Sequence, residues 1–285
     1  MEMEKVKYFF TSASKSVLRK GLSCPSCGSN RSTIVLRKYL VTALRRCDRC
    51  QLLFRTPTTS ADAGLAFYQE QYSQGLATDC PSDEQLTRMI ANEFKNTEAD
   101  YSTYIDVICA AGGLKGSSLF DFGCSWGYGS WQFMHRGFNV ESLEVSIPRA
   151  NYARRKLGIK VHASIAEVKE TFDIFFSAHV LEHVPSAIEA ITFGMSILRP
   201  AGLFVAFTPN GSAQFRQKDE KTWTQLWGMV HPNFLDDRYY KNTFAGKPIL
   251  ISSNPYQLDE VKLWSNGGSP SLPIDGGELL LLARK

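Results

Sequence analysis

From residue 116 onward, short apolar runs alternate with segments of helical period, and few folds accept that succession. SLFDFG, NVESLEVS, KVHAS, FDIFFSA and LFVAFTPN read as strands. Between them YGSWQFMHRG ends in glycine, PRANYARRKLG opens on proline, and SAIEAITFGMSIL is stopped by RPAG, the punctuation of helices. Strands alternating with helices predict a mostly parallel sheet covered on both faces, an α/β fold. With 285 residues, 44% of them apolar and 21% charged, the chain can fill such a core. Ligands of these sheets sit beyond the carboxyl ends of the strands, where the chain order reverses.

LFDFGCSWGYGSW, residues 119–131, packs three glycines between a strand and a helix. Glycine allows backbone to come unusually close to something. The dinucleotide fingerprint GxGxxG fails on spacing: counted from Gly123 its later glycines fall on Ser125 and Tyr128, and from Gly127 its third falls on Gln132. The GxxxxGK[ST] loop of polyphosphate sites is also missing here. Asp121, at the strand end, disfavours a phosphate and suits positive charge. Glu144 lies 21 residues after Gly123 at the end of the next strand, where an acid receives the hydroxyls of a ribose. A ligand with a cationic end, a carboxylate for the helix amino terminus and a free ribose is S-adenosylmethionine.

Upstream, Cys24-Pro-Ser-Cys27 and Cys47-Asp-Arg-Cys50 flank a hairpin-length segment containing YLVTAL, itself expected as a strand. Two CxxC turns at this separation are the pattern of a zinc ribbon, four thiolates reaching one Zn2+. Redox pairs or unconnected buried thiols are the alternatives. Metal would supply the stability that so short a segment lacks. Cys80, Cys109 and Cys124 are scattered, which suits reduced thiols and a cytoplasmic address. No run approaches the length of a membrane span, and MEMEKVKYFFTSASKSVLRK lacks a secretory core. The expected organisation is a zinc-ribbon-like segment over 1–57, a helical linker or cap over 58–115, and a domain over 116–285 with an insertion at 211–247. In the helical part, LAFYQEQY and EQLTRMIANEFKNTEADYSTYIDVICAAGG carry apolar residues at helical intervals. Tyr68, Tyr72, Tyr101 and Tyr104 there line a pocket or pack between helices.

DFGCSWGYGSWQF, LEVSIPRA, FDIFFSAHVLEHVP, ILRPAGLFVAFTPN and ELLLLARK together resemble the motifs of class I S-adenosylmethionine-dependent methyltransferases. The ribbon ending in CQLLFRTPT, followed by FYQEQY, is similar to the amino-terminal region of bacterial sugar or glycan methyltransferases. The resemblance implies a Rossmann-like methyltransferase sheet in which ILISS and ELLLLAR lie side by side, the last strand antiparallel. It also implies that Asp121, Gly123, Ser125, Gly127 and Gly129 surround the methionine part of the cofactor, Ser125 standing where the family usually has glycine. Glu144 would bind the ribose and Val145 the adenine, with Ser164 and Ile165 flanking that ring. Ser177, Ala178 and His179 would face the sulfonium.

His179-Val-Leu-Glu182-His183 matches the inverted zinc-protease pattern HxxEH, but that motif needs a helix, and here it follows a strand and precedes Pro185. The resemblance implies instead a place near the acceptor. Glu182, His183 and His231 form a candidate second site for a divalent ion, with a structural Glu182–His183 pair as the alternative. His179 and His231 are the candidate catalytic bases. The insertion's Trp223 and Trp227, with His231, shape the acceptor pocket or pack beneath a loop.

These features predict methyl transfer to the oxygen or carbon of a small-molecule or glycan acceptor. A nucleic-acid or protein methyltransferase remains the alternative, gripping its target through Arg31, Arg37, Lys38, Arg45, Arg46 and Arg49, as does a catalytically idle cofactor-binding module. The net charge of +4 does not choose among them.

Overall fold

The consecutive leucines of ELLLLAR are buried on both sides of a sheet. Leu279 and Leu281 join one core cluster, Leu280 and Leu282 the other. The computed structural model describes residues 21–38, 41–58 and 79–285. MEMEKVKYFFTSASKSVLRK, LAFYQEQY, Tyr68 and Tyr72 lie outside the described residues.

The main sheet contains β4 (Ser118–Phe122), β5 (Asn139–Leu143), β6 (Lys160–His162), β7 (Phe172–Ala178), β8 (Leu198–Pro209), β10 (Ile249–Ser253) and β11 (Glu278–Arg284). Their spatial order is β10-β11-β8-β7-β4-β5-β6. β4 through β8 pair in parallel. β11 is antiparallel to both β8 and β10, as expected of the last strand. This is an α/β, Rossmann-like sheet, mostly parallel with its last strand antiparallel, as the resemblance implies. The chain runs outward from β4 to β6 and returns to β7 on the other side of β4, so the order reverses between β4 and β7. Ile105 and Phe133 lie on one face, while Leu181 and Ile191 lie on the other.

Before the sheet come α1 (Asp83–Ala91) and α2 (Ser102–Ala110). The continuous helical period expected from Glu84 to Gly113 is therefore interrupted. Ser82 and Gln85 form a capping box at the start of α1, and Glu93, Phe94 and Asn96 then take left-handed φ values. The break buries Phe94 against Trp126 and Trp131, at centroid distances of 6.1 and 5.3 Å. That tertiary contact outweighs local periodicity. Within the sheet's crossovers run α3 (Tyr128–His135), α4 (Ile147–Leu157) and α5 (Ala187–Ile197).

A second sheet contains β1 (Ser32–Lys38), β2 (Thr42–Cys47), β3 (Leu53–Thr56) and the two-residue β9 (Asn233–Phe234), in that order. Of the strand expected over YLVTAL, Thr42, Ala43 and Leu44 begin β2, while Tyr39 and Leu40 lie outside the described residues. β9 belongs to the insertion, which also holds α6 (Ala213–Lys218), α7 (Glu220–Gln225) and α8 (Asp237–Thr243). α9 (Leu258–Ser265) precedes the last strand. Among the described residues no helix is long and apolar enough to cross a membrane.

Candidate active site

At the point where the sheet order reverses, β4 ends and the chain turns through Gly123 at φ 89° and Ser125 at φ 53°. A Cβ on Gly123 would stand 2.5 Å from Val180, so the turn reaches its path only with glycine there. The amide of Ser125 donates to Glu144 Oε2 at 2.9 Å, and that of Ser146 to Oε1 at 2.6 Å. Burial pushes the Glu144 carboxyl up, and these amides oppose it. Asp121 is 2% exposed and accepts from Ser130 Oγ at 2.6 Å. Burial pushes its carboxyl up to about 7, against the pull of Ser130.

Two hydroxyls here, Ser125 Oγ and Ser177 Oγ, are buried without a hydrogen-bond partner. Folds rarely leave such atoms unsatisfied, and their position at the strand ends suits a polar ligand. Val145, next in the chain to Glu144, and Ile165 are exposed apolar residues. Ser164 accepts from the amide of Ala166 at the start of a short turn of 3-10 helix. Orphaned hydroxyls, two buried carboxyls and an apolar rim fit the amino, ribose and adenine groups of S-adenosylmethionine. Gly127 and Gly129 also serve packing. Their missing Cβ atoms would lie 2.9 Å from Ala153 and 2.2 Å from Tyr101, so both admit neighbouring parts of the protein.

β7 ends beside this turn, and His179 to His183 follow as a bend and turn, which removes the helix that a protease motif requires. His179, in left-handed backbone at φ 55°, ion-pairs through Nε2 with Glu278 at 2.5 Å and through Nδ1 with Glu182 at 3.4 Å. Desolvation of the buried part of this half-exposed ring opposes its charge, but the two carboxylates outweigh it and raise the ring to about 10. A ring that holds its proton in this way is disfavoured as a proton acceptor, so the ion pairs weigh against His179 among the two candidate bases, His179 and His231. Glu278 also accepts from Tyr104 at 2.6 Å and from Tyr256 at 2.5 Å. Tyr104 thus joins a polar network, an outcome that helical spacing alone did not decide.

Glu182 is 1% exposed, and neither of its carboxylate oxygens has a hydrogen-bond partner. Burial would raise its pKa, but the ion pair with His179 and the neighbouring imidazoles hold it at about 2. His183 donates Nδ1–H to Val230 O at 2.7 Å and directs Nε2 towards Glu182 at 3.8 Å. Burial keeps it neutral, lowering it to about 4. His231 donates Nδ1–H to Leu226 O at 2.6 Å, and its ring centroid is 4.6 Å from that of His183. One ligand atom from each of Glu182, His183 and His231 falls within 4.8 Å of the others. Imidazoles anchored through Nδ1 to carbonyls and a buried carboxylate form a donor set able to hold a divalent ion.

The ribbon's four sulfurs also converge within 4.8 Å. Cys24 and Cys50 sulfurs are 3.5 Å apart, those of Cys27 and Cys47 3.4 Å. A ZnS4 tetrahedron with bonds of about 2.3 Å has edges of about 3.8 Å, so these residues fit zinc. All seven cysteines are free thiols.

Three of the basic residues are engaged inside the molecule, and of the two alternatives for the tryptophans the structure has packing. Lys38 is bonded to the carbonyls of Thr224 and Trp227, Arg46 to Asp236 and Gln51, and Arg45 to Thr56 and Ser32. Arg31, Arg37 and Arg49 are exposed. Trp223 and Trp227 are each 2% exposed, packed with Leu44, Leu53 and Phe234 rather than facing an open pocket.

A family model described as a methyltransferase domain matches residues 95–246, just over half of the chain. A ubiquinone biosynthesis O-methyltransferase of Roseobacter denitrificans is 26% identical over 136 residues, 45% of this chain and 51% of that protein. The chain thus spans about half the length of that relative. Among solved structures, the plantazolicin methyltransferase BpumL with a monoazolic desmethylPZN analog and SAH has a TM-score of 0.52 at 11% identity, covering 79% of this chain and 96% of that one. The plantazolicin methyltransferase BamL with a triazolic analog and SAH has a TM-score of 0.52 at 13% identity, with 79% and 96% coverage. At such identities the likeness shows the fold alone.

Proposed function

Since the chain belongs to the family of S-adenosylmethionine-dependent methyltransferases, we propose that it methylates an oxygen or carbon of a small-molecule or glycan acceptor held beside Glu182 and His231. The observation that carries this reading is the buried carboxylate of Glu182 with the half-buried rings of His183 and His231 gathered around it, in the chain that leaves β7 where the sheet order reverses. The O-methyltransferase name of the Roseobacter relative favours oxygen as the receiving atom.

Bound S-adenosylmethionine supplies a methyl carbon activated by the sulfonium. The chain contributes alignment and exclusion of water. In this reading Asp121 receives the cationic amino group, Ser125 and Ser177 donate to the cofactor's polar atoms, and Glu144 accepts from the ribose. Val145 and Ile165 flank the adenine, with Ser164 fixing the turn beneath it. Gly123 keeps the turn close, while Ala178 and His179 border the reacting end. His231 takes the acceptor's proton at Nε2, because Nδ1 is committed to Leu226 O. His179, kept cationic by Glu182 and Glu278, places positive charge beside a developing oxyanion.

A divalent ion fits Glu182, His183 and His231, and would polarise an acceptor oxygen; His231 would then be a ligand. Cys24, Cys27, Cys47 and Cys50 hold a structural Zn2+. With Lys38, Arg45 and Arg46 engaged inside the molecule, the surface favours a small acceptor over a nucleic acid.

The full chain, methyl-labelled S-adenosylmethionine, and parallel sets of hydroxylated aromatics, sugar nucleotides and RNA test this. Label on one of the first two classes is expected. Label on RNA, with binding that weakens steeply in salt, would transfer the reading to nucleic acid. A chain that binds neither S-adenosylmethionine nor SAH would sink it.

A further inference from the structure

The ribbon reaches the insertion at two places, one on either side of His231. On one side the Lys38 ammonium donates to Thr224 O at 2.5 Å and Trp227 O at 2.6 Å, and lies 4.0 Å from the centre of the Trp227 ring. On the other, β3 pairs with β9, Leu53 opposite Phe234 and Phe54 opposite Asn233. The amide of Arg55 donates to Pro232 O at 2.8 Å, directly after His231. Further along, Arg46 pairs with Asp236 at 2.7 Å. Asp236 caps α8 by accepting from the amide of Tyr239, whose hydroxyl lies 3.0 Å from Ser26 Oγ between the two thiols of the first CxxC turn.

Asn233 connects this clamp to the other half of the candidate centre. Fully buried, it donates through Nδ2 to Val184 O at 2.6 Å, and its amide donates to Glu182 O at 3.2 Å. The His231 ring is in turn tied to Leu226 O, inside the clamped segment. The position of His231 relative to Glu182 and His183 is thus fixed by groups that belong to, or are held by, the ribbon. A two-residue strand has little stability of its own and keeps its place only through the strand it pairs with.

We propose that the four-cysteine ribbon is a brace for the acceptor half of the site, with Lys38 and Asn233 as the positioning residues that transmit its geometry to His231. This rests on the reading of Glu182, His183 and His231 as the acceptor half. The ribbon's partner is then the insertion of its own chain.

The test uses the full chain with SAH bound, as Lys38→Met and Asn233→Ala, both of which leave every cysteine in place, and as wild type stripped of zinc by a mercurial thiol reagent. Zinc content, SAH affinity, amide exchange and the Nδ1–H signals of His183 and His231 are measured in each. Expected for both variants are unchanged zinc, SAH affinity within about twofold, and exchange over 226–234 faster by about tenfold, with weakened Nδ1–H signals, from the loss of one or two buried hydrogen bonds. Stripped protein should lose protection over 226–234 before it does so over 118–130. Unchanged exchange and histidine signals in both variants would overturn the brace, whatever happens on stripping. Equal acceleration over 118–130 in the variants would overturn it too. Wild type that fails to bind SAH would instead strike the methyltransferase reading.

Discussion

The amide of Ser125 donates to Glu144 at 2.9 Å, joining the glycine turn after β4 to the acid that ends β5. One carboxylate therefore fixes the turn and faces the place proposed for the ribose. Glu144→Ala is expected to weaken SAH binding by about 10–100-fold, the range for lost hydrogen bonds to a charged group. Calorimetry with SAH and its 2′-deoxy analogue checks the assignment. Wild type should prefer SAH and the variant should not; an undiminished preference in the variant would remove Glu144 from the ribose.

Asp121 makes binding of the donor depend on pH. Its folded pKa, about 7, lies above the ordinary carboxyl value because the group is buried. The folded state therefore favours the protonated form, and stability falls as pH rises from about 4, the unfolded value, through about 7. A cationic amino group needs the ionised form, so affinity for S-adenosylmethionine should rise through the same upper range. Asp121→Asn retains an acceptor for Ser130 but carries no charge. It should melt higher than wild type at pH 8, match it more closely at pH 5, and bind the donor weakly with a flat pH profile. Denaturation and calorimetry across this range test both signs, and a wild-type affinity independent of pH would contradict them.

The parallel sheet was legible because each strand carries its own apolar run and each helix its own stop. The Gly123 turn and Glu144 were legible for a related reason: both lie at element boundaries that local sequence marks. β9 was not, since Asn233–Phe234 has no period and exists only through pairing with Leu53 and Phe54, far away in the chain. The role of Glu278 was hidden likewise. Its partners Tyr104, His179 and Tyr256 come from separate elements that only the folded sheet assembles. For Trp223 and Trp227 the sequence leaves a pocket and packing beneath a loop equally open, and contact with the ribbon's Leu44 and Leu53 makes them core.

Gly129 separates a packing role from a binding role. A methyl group there would stand 2.2 Å from Tyr101 Cε1, and that ring is itself packed against Tyr104 and Tyr128 at 4.9 and 5.2 Å. Gly129→Ala is expected to cost about 1–3 kcal/mol of stability through overpacking. Affinity for SAH, measured well below the melting temperature, should change by less than about threefold, since an interaction outside the binding surface shifts the free energy of binding by under about 0.7 kcal/mol. A full loss of binding in a stably folded variant would return Gly129 to the cofactor's surroundings.

His231 and Glu182 test the acceptor half without disturbing the donor half. His231→Gln removes the Nε2 acceptor, and Glu182→Gln removes the carboxylate charge that the rings of His183 and His231 face. If His231 takes the proton, His231→Gln should slow methyl transfer by about 10²–10⁴-fold, the usual contribution of a positioned base. SAH affinity should stay near that of wild type, because neither residue belongs to the turn after β4. Metal analysis of the intact protein then decides what else the group does. Zinc at one ion per chain, retained by His231→Gln and lost in Cys24→Ser, would be the ribbon's ion alone. A second divalent ion, lost in both Glu182→Gln and His231→Gln, would make His231 a ligand, and activity should then fall on chelation and return with added metal. Transfer undiminished in both variants would mean that the acceptor binds away from this group.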